Sequence, residues 1–220
     1  MEAKLSDRAI STALLFLLLA VCRSDPNPLR DFCVADLPAA DTLTSNGIPC
    51  KPPSAVADDD FFFGGLAVEG DTDNALGFNI TRATVSEFPA LNTLGLSMAR
   101  IDLGPGGVNV PHTHPRATEL VLGLEGRVLV GFVTSSNVYY SKVIGKGELF
   151  VVPRGMMHFQ FNVGRSKASF VVAFDSQSPG GVGAPLAMFG SKPAIPNQVL
   201  AKSLFADEAL VATLKAKFGN

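Results

Sequence analysis

Between about Thr93 and Asp175, short apolar runs alternate with turns that contain glycine. The runs are rich in Val, Ile, Leu and Phe, which favour strands, and glycine adopts the backbone angles that tight turns require. The sequence predicts seven strands, at 97–103, 119–124, 127–133, 138–144, 148–152, 158–163 and 168–174. Short strands at close, regular spacing are typical of an all-β sandwich or barrel. We expect this β domain to span residues 58–196.

The periodicity changes in the C-terminal segment, residues 197–220. Leu210, Val211, Leu214 and Phe218 recur at helical spacing, with acidic residues before them and lysines near the end. This pattern predicts a C-terminal α-helix, and a second short helix is expected over 198–203. An apolar helix outside a β domain needs a surface to cover, and a neighbouring subunit is one candidate.

The N-terminus has the pattern of a secretory signal peptide. Lys4 and Arg8 precede an apolar run at 10–21, which is shorter than the roughly 20 residues that span a bilayer. We predict a signal peptide over residues 1–24, cleaved after Ser24, and no membrane span; a buried core helix is the alternative. The formal net charge of −2, without runs of Lys or Arg, argues against nucleic acid as a partner.

Residues 25–57 are rich in Pro, Asp and Ser and indicate an extended N-terminal arm. If Cys22 leaves with the signal peptide, Cys33 and Cys50 remain as a pair in an oxidising compartment. A disulfide between them is the natural interpretation, and two free buried thiols are the alternative.

Two features lie between this arm and the predicted strands. Three aspartates at 58–60 run directly into three phenylalanines at 61–63, which predicts a solvated turn followed by a buried strand or a docking segment. Asn79, followed by Ile80 and Thr81, forms the only N-glycosylation sequon in the chain. In a secreted protein, this sequon would place Asn79 on the surface.

The three histidines of the chain all fall in two short segments. His112 and His114 are two residues apart, so an extended chain puts both rings on one face. Pro115 favours a break there, and a turn after it lets Glu119 open the next strand facing inward. His158 comes from a later strand. The sequence therefore predicts that three imidazoles and one carboxylate converge on a metal ion; the alternative is ordinary surface or core histidines.

This set of ligands indicates which metals fit. Imidazoles and a carboxylate suit divalent transition metals, and Mn(II) or Fe(II) would keep open positions where Zn(II) more often closes a tetrahedron. One carboxylate leaves a divalent site with a charge of about +1, which attracts small anions. Gln160 and Asn162 share the inward parity of His158, so either could hydrogen-bond a bound ligand or water. The alternative for Gln160 is a strand side chain without a role.

The spacing of the two segments resembles that of the germin-like proteins in the plant cupin superfamily. The first pattern is glycine, five residues, His-x-His, four residues, Glu, six residues and glycine, running from Gly106 to Gly126. The second is glycine, five residues, Pro-x-Gly, two residues, His, three residues and Asn, running from Gly147 to Asn162. The resemblance implies a cupin jelly-roll β-barrel with C-terminal helices, and manganese as the metal. It also implies an extracellular location, in the apoplast or cell wall, and a hexamer built as a trimer of dimers.

The resemblance also bears on activity. Oxalate oxidases of this family place asparagines near the metal to hold the substrate; one of these matches Asn109, but the second falls at Ala99. Other members resemble superoxide dismutases, and Gln160 matches a pocket position of the family. We therefore expect a manganese superoxide dismutase acting on a small anion, with Gln160 and Asn109 beside the metal. An oxalate oxidase and a non-enzymatic wall protein, such as an auxin-binding protein, are the alternatives.

Overall fold

The computed structural model describes residues 30–42 and 47–219. The chain divides into two units, Met1–Asp31 and Phe32–Asn220, and the second contains the fold. The predicted signal peptide over residues 1–24 lies outside the described residues. Within the described ranges, no helix is both long enough and apolar enough to cross a membrane.

Ten strands in the described part of the chain form two five-stranded antiparallel sheets, which confirms the prediction of an all-β domain. The first sheet has the order β1-β2-β9-β4-β7 and the second the order β10-β3-β8-β5-β6. The strands are β1 Phe78–Ala83, β2 Ser97–Leu103, β3 Val108–Thr113, β4 Glu119–Glu125, β5 Val128–Val133, β6 Tyr139–Ile144, β7 Leu149–Val152, β8 Met157–Asn162, β9 Ala168–Phe174 and β10 Val182–Gly183.

All seven predicted strands are present, with ends that differ by no more than one residue. Strands β1, β3 and β10 were not predicted. Strand β1 carries Asn79, Thr81 and Arg82, which dilute its apolar pattern, and β3 contains Pro111 and His112. Strand β10 has only two residues, too few to produce a pattern.

The core lies between the two sheets. In β4, Glu119 and Val121 are buried while Leu120 is 42% exposed, so alternate side chains enter the core. Strand β9, between β2 and β4, contributes Phe170 and Val172 to the same layer. Burial of such side chains contributes roughly 1.5–3 kcal/mol each. The alternation that fills the core also turns Glu119 inward.

The predicted cysteine pair closes a loop within the N-terminal arm, and polar contacts join this arm to the barrel. Cys33 and Cys50 form a disulfide, and Ala35 makes an isolated antiparallel bridge to Cys50. Asn92 is fully buried; its Nδ2 donates to the Ile48 carbonyl at 2.6 Å, and its Oδ1 accepts from the Ile48 amide at 3.1 Å. The arm is therefore held by covalent and polar contacts.

The prediction of a buried strand at the phenylalanine run is wrong. Asp58–Phe61 form a short 3-10 helix, and Phe62 beyond it is 74% exposed. The cause is Asp60, whose carboxylate accepts hydrogen bonds from the Ala57 amide and the Lys51 ammonium. These bonds stabilise a helical turn where the apolar run suggested a strand. The docking segment stays a prediction.

Three helices follow β10: α1 Ala184–Phe189, α2 Asn197–Leu204 and α3 Glu208–Lys217. Helices α2 and α3 match the two predicted helices. They build a small second core around Phe189, Leu200 and Val211. The predicted apolar face of α3 is only partly buried, because Leu210 is 49% exposed and Lys215 occupies a buried position.

Lys215 provides the first prediction. Its side chain is 7% exposed, and its ammonium donates to the Ile195 carbonyl and to Asn197 Oδ1. Lys215→Met keeps most of the volume but leaves both acceptors without a donor, so we expect a loss of about 1–3 kcal/mol in the free energy of unfolding. Urea denaturation followed by circular dichroism measures it. Lys217→Met on the exposed side of α3 is the control, and equal stability of the two variants would contradict the assignment.

Candidate metal centre

Four side chains from three strands and one turn meet inside the barrel. His112 lies on β3, Glu119 begins β4, His158 lies on β8, and His114 follows β3 directly. One ligand atom from each lies within 4.8 Å of those of the others. The structure thus brings together the four side chains that the sequence analysis selected.

Local backbone contacts explain the convergence. His112 and His158 are direct partners in the β3–β8 ladder, so barrel pairing brings them together. The Ala117 amide donates to the His114 carbonyl at 3.5 Å, which closes the turn that aims Glu119 inward. Gly155 has a φ of 76°, which favours glycine, and its amide also donates to the His114 carbonyl, at 3.2 Å. The turn before His158 is therefore tied to the turn before Glu119.

Each imidazole is oriented by a backbone carbonyl. The three Nδ1–carbonyl oxygen pairs are His112–Val110 at 2.8 Å, His114–Gly180 at 2.5 Å and His158–Met156 at 2.9 Å. A carbonyl oxygen only accepts hydrogen bonds, so each Nδ1 carries the hydrogen and each Nε2 is left as the ligand atom. Partners of this kind orient histidines in metal sites.

The charges of the cluster suit a cation. Glu119 is 2% exposed, and its Oε2 lies 3.0 Å from His114 Nε2 and 3.2 Å from His158 Nε2. Burial alone would raise the pKa of Glu119, but its interactions with His114 and His158 outweigh burial and lower the pKa to about 2. Burial, followed by the charge of His158, lowers the pKa of His112 to about 4. At neutral pH Glu119 is an anion and His112 is neutral, which are the forms that bind metals.

Two amide side chains, Gln160 and Asn109, lie next to the Glu119 carboxylate. Gln160, which is 1% exposed, donates from Nε2 to Glu119 Oε1 at 2.9 Å, and Asn109 donates from Nδ2 to Gln160 Oε1 at 2.7 Å. Both residues are thus beside the centre, but their contacts fix Glu119. The expectation that Asn162 could meet a ligand is wrong, because its Nδ2 donates to the carbonyls of Leu103, Gly104 and Ser166.

The centre opens into a cavity of about 920 Å³. The cavity is lined by His112, His114, Glu119 and Asn109 together with apolar side chains of the first sheet, namely Phe78, Ile80, Ile101 and Phe174. Phe174, whose ring packs on His114 with centroids 4.7 Å apart, was not among the predicted site residues, although its parity on β9 points inward. Gly180 was not among them either, because a backbone carbonyl leaves no signal in a sequence.

Comparison with known proteins identifies the family of the chain. The cupin family model matches residues 65–212. Rice germin-like protein 3-8 (Oryza sativa subsp. japonica) is 54% identical over 215 residues, covering 95% of this chain and 96% of that protein. The chain is a germin-like member of the cupin family. The resemblance drawn from the two histidine segments is thereby confirmed.

This germin-like chain is also similar to oxalate oxidases. Oxalate oxidase 2 of Hordeum vulgare is 51% identical over 209 residues, covering 94% of this chain and 93% of that protein. The solved structure of a recombinant oxalate oxidase in complex with glycolate matches with a TM-score of 0.84 and 50% identity, covering 89% of this chain and 98% of that one. The jelly-roll cupin fold is therefore confirmed.

The amide pair behind Glu119 yields a second prediction. Gln160→Leu removes the donor to Glu119 and the acceptor for Asn109, so we expect the affinity of this site for a divalent metal ion, probed with added Mn(II), to fall roughly 10–100-fold. Competition with a chelator, followed by electron paramagnetic resonance of released Mn(II), measures the change. Gln198→Leu, at an exposed position of α2, is the matched control. Unchanged affinity in Gln160→Leu would show that the amide does not support the ligand.

Proposed function

We propose that the chain is a secreted manganese superoxide dismutase. His112, His114, Glu119 and His158 would hold one manganese ion, and a bound manganese ion supplies one-electron redox chemistry. Two superoxide anions and two protons would give one oxygen and one hydrogen peroxide. The three carbonyl-oriented imidazoles and the fixed carboxylate would hold the ligand atoms rigidly between the two half-reactions.

One observation carries this proposal: the amide side chains near the centre form a hydrogen-bond chain that ends on the Glu119 carboxylate. Asn109 donates to Gln160 and Gln160 donates to Glu119, whereas Ala99, a core position on β2, has no polar group. Dismutation needs an ion, an open position and protons, and it does not need amides to orient a larger substrate. A cavity that converges on Glu119 and His112 supports access for a small anion.

The test is superoxide removal per bound manganese by the secreted, metal-quantified protein. We expect a rate well above that of an equal amount of free manganese, and a fall to that level in His114→Ala. A wild-type rate equal to that of free manganese would overturn the proposal.

Oxalate oxidation is the second candidate, favoured by the 51% identity to oxalate oxidase 2 and by Asn109 on the cavity wall. In that reaction oxalate, oxygen and two protons give two carbon dioxide and one hydrogen peroxide. Oxalate-dependent peroxide at mildly acidic pH would support it. If a fully metal-loaded sample produces no oxalate-dependent peroxide, two functions remain: superoxide dismutation, or a binding role in which the metal is structural.

Secretion to the apoplast or cell wall and glycosylation at Asn79 belong to the same proposal. The Cys33–Cys50 disulfide supports an oxidising compartment, and Asn79 lies on β1, at the edge of the first sheet. A loss of mass after glycosidase treatment, absent in Asn79→Gln, would support the modification. An unchanged mass would remove it.

We also propose the hexamer that the resemblance implies. Met98, Leu120, Leu149 and Val151 are 39–58% exposed on the outer face of the first sheet. Leu120 pairs with Val151 in the β4–β7 ladder, so these side chains are neighbours. Exposed apolar patches of this kind mark interaction sites. Light scattering should give six times the chain mass, and Leu120→Glu should lower it; a monomeric wild type would contradict the proposal.

A further inference from the structure

Strand β1 carries one basic side chain to the mouth of the metal cavity. Phe78 and Ile80 on this strand pack against the core, and Arg82 lies two residues beyond Ile80, on the same side of the strand. All three side chains line the cavity that contains His112. Arg82 is exposed, so its guanidinium lies at the solvent end of the cavity.

In the described part of the chain, the Arg82 guanidinium does not stabilise the fold through an ion pair. Among the described residues, no ion pair involves Arg82. Glu87 lines the same cavity, but its carboxylate accepts hydrogen bonds from Thr84, at 3.1 Å from the amide and 2.6 Å from Oγ1. Ala99, the cross-strand partner of Arg82, ends in a methyl group. Arg82 is therefore the one Arg or Lys side chain among the residues that line the cavity, and no carboxylate pairs with it in the described part of the chain.

We propose that Arg82 binds and recruits the small anionic substrate at the entrance of the metal cavity. The guanidinium is a cation whose planar donors match a carboxylate or another small oxyanion. A charge at the rim of an apolar-walled cavity also focuses the electric field and raises the local anion concentration. This inference rests on the proposed function only in taking a small anion as the substrate.

The first experiment measures anion binding without turnover. Manganese-loaded protein of equal metal content is titrated with glycolate, a small carboxylate, by calorimetry and by electron paramagnetic resonance. We expect Arg82→Ala to bind glycolate roughly tenfold more weakly than wild type. Arg82→Lys should recover part of the loss because it keeps the charge. Arg165→Ala, which removes an exposed arginine from a turn outside the cavity lining, should bind as wild type does.

The second experiment measures recruitment. The superoxide rate of wild type should fall more steeply with added salt than that of Arg82→Ala, because the Debye length shrinks from about 30 Å at 0.01 M to about 8 Å at 0.15 M. Equal glycolate affinity in wild type and Arg82→Ala, or no glycolate binding by wild type, would overturn the role of Arg82. A wild type that fails to remove superoxide but binds glycolate through Arg82 would overturn the dismutase proposal alone.

Discussion

Replacing Glu119 by glutamine is expected to abolish manganese retention and reduce superoxide removal to the level of free manganese. Glu119 is the only anion among the four donors, and it is 2% exposed. Glutamine keeps the shape but removes the charge that offsets a divalent ion. Loss of a partner behind a ligand costs about 10–100-fold in affinity, so loss of the charged ligand itself should cost more than 100-fold. Metal content after gel filtration, by mass spectrometry, measures retention.

The matched control for this variant lies on the same strand. Glu125→Gln, at the exposed end of β4, removes the same charge from the protein without touching the centre. It should retain manganese and activity as wild type does. Full manganese occupancy in Glu119→Gln would contradict the assignment of Glu119 as a ligand. Equal losses in both variants would show an effect of total charge.

Removing the disulfide is expected to cause the largest loss of stability. Cys33 and Cys50 are 17 residues apart, and closing a loop of this size stabilises a fold by roughly 3 kcal/mol in the chain-entropy model. The Cys33→Ala/Cys50→Ala variant should lose about that amount in the free energy of unfolding, measured by urea denaturation. The arm would then be held mainly by polar contacts such as those of Asn92 with Ile48.

A reducing agent provides the control for the disulfide. Wild type with a strong thiol reductant should lose the same stability as the double variant, and the variant itself should not respond to the reductant. A loss below about 1 kcal/mol in the variant would contradict a stabilising role for the loop that the disulfide closes within the arm. A response of the variant to reductant would point to a different target of the reagent.

The four candidate ligands could be predicted because their spacing carries information. The His-x-His pair, the proline after it and the odd offset to Glu119 together require a turn, and the structure has that turn at Ala117. Strand β3 itself was missed because Pro111 and His112 hide its pattern. The ligand residues that define the centre thus weakened the signal of the strand that carries them.

The surroundings of the centre could not be predicted from the same patterns. The Gly180 carbonyl that orients His114 lies 66 residues further along the chain and belongs to the backbone. Parity placed Gln160 and Asn162 on one face, but parity does not reveal partners. Gln160 donates to Glu119, whereas Asn162 donates to the backbone of neighbouring turns. Pairing between strands distant in sequence decides such contacts.

The most direct test of the proposed centre is the coordination of metal in the protein isolated from its native source. Elemental analysis gives ions per chain, and pulsed electron paramagnetic resonance counts the imidazole nitrogens bound to Mn(II). We expect one manganese per chain with three imidazole nitrogens, from His112, His114 and His158, and one nitrogen fewer in His158→Ala. Manganese bound by fewer than three imidazoles, or a chain that carries no metal, would contradict it.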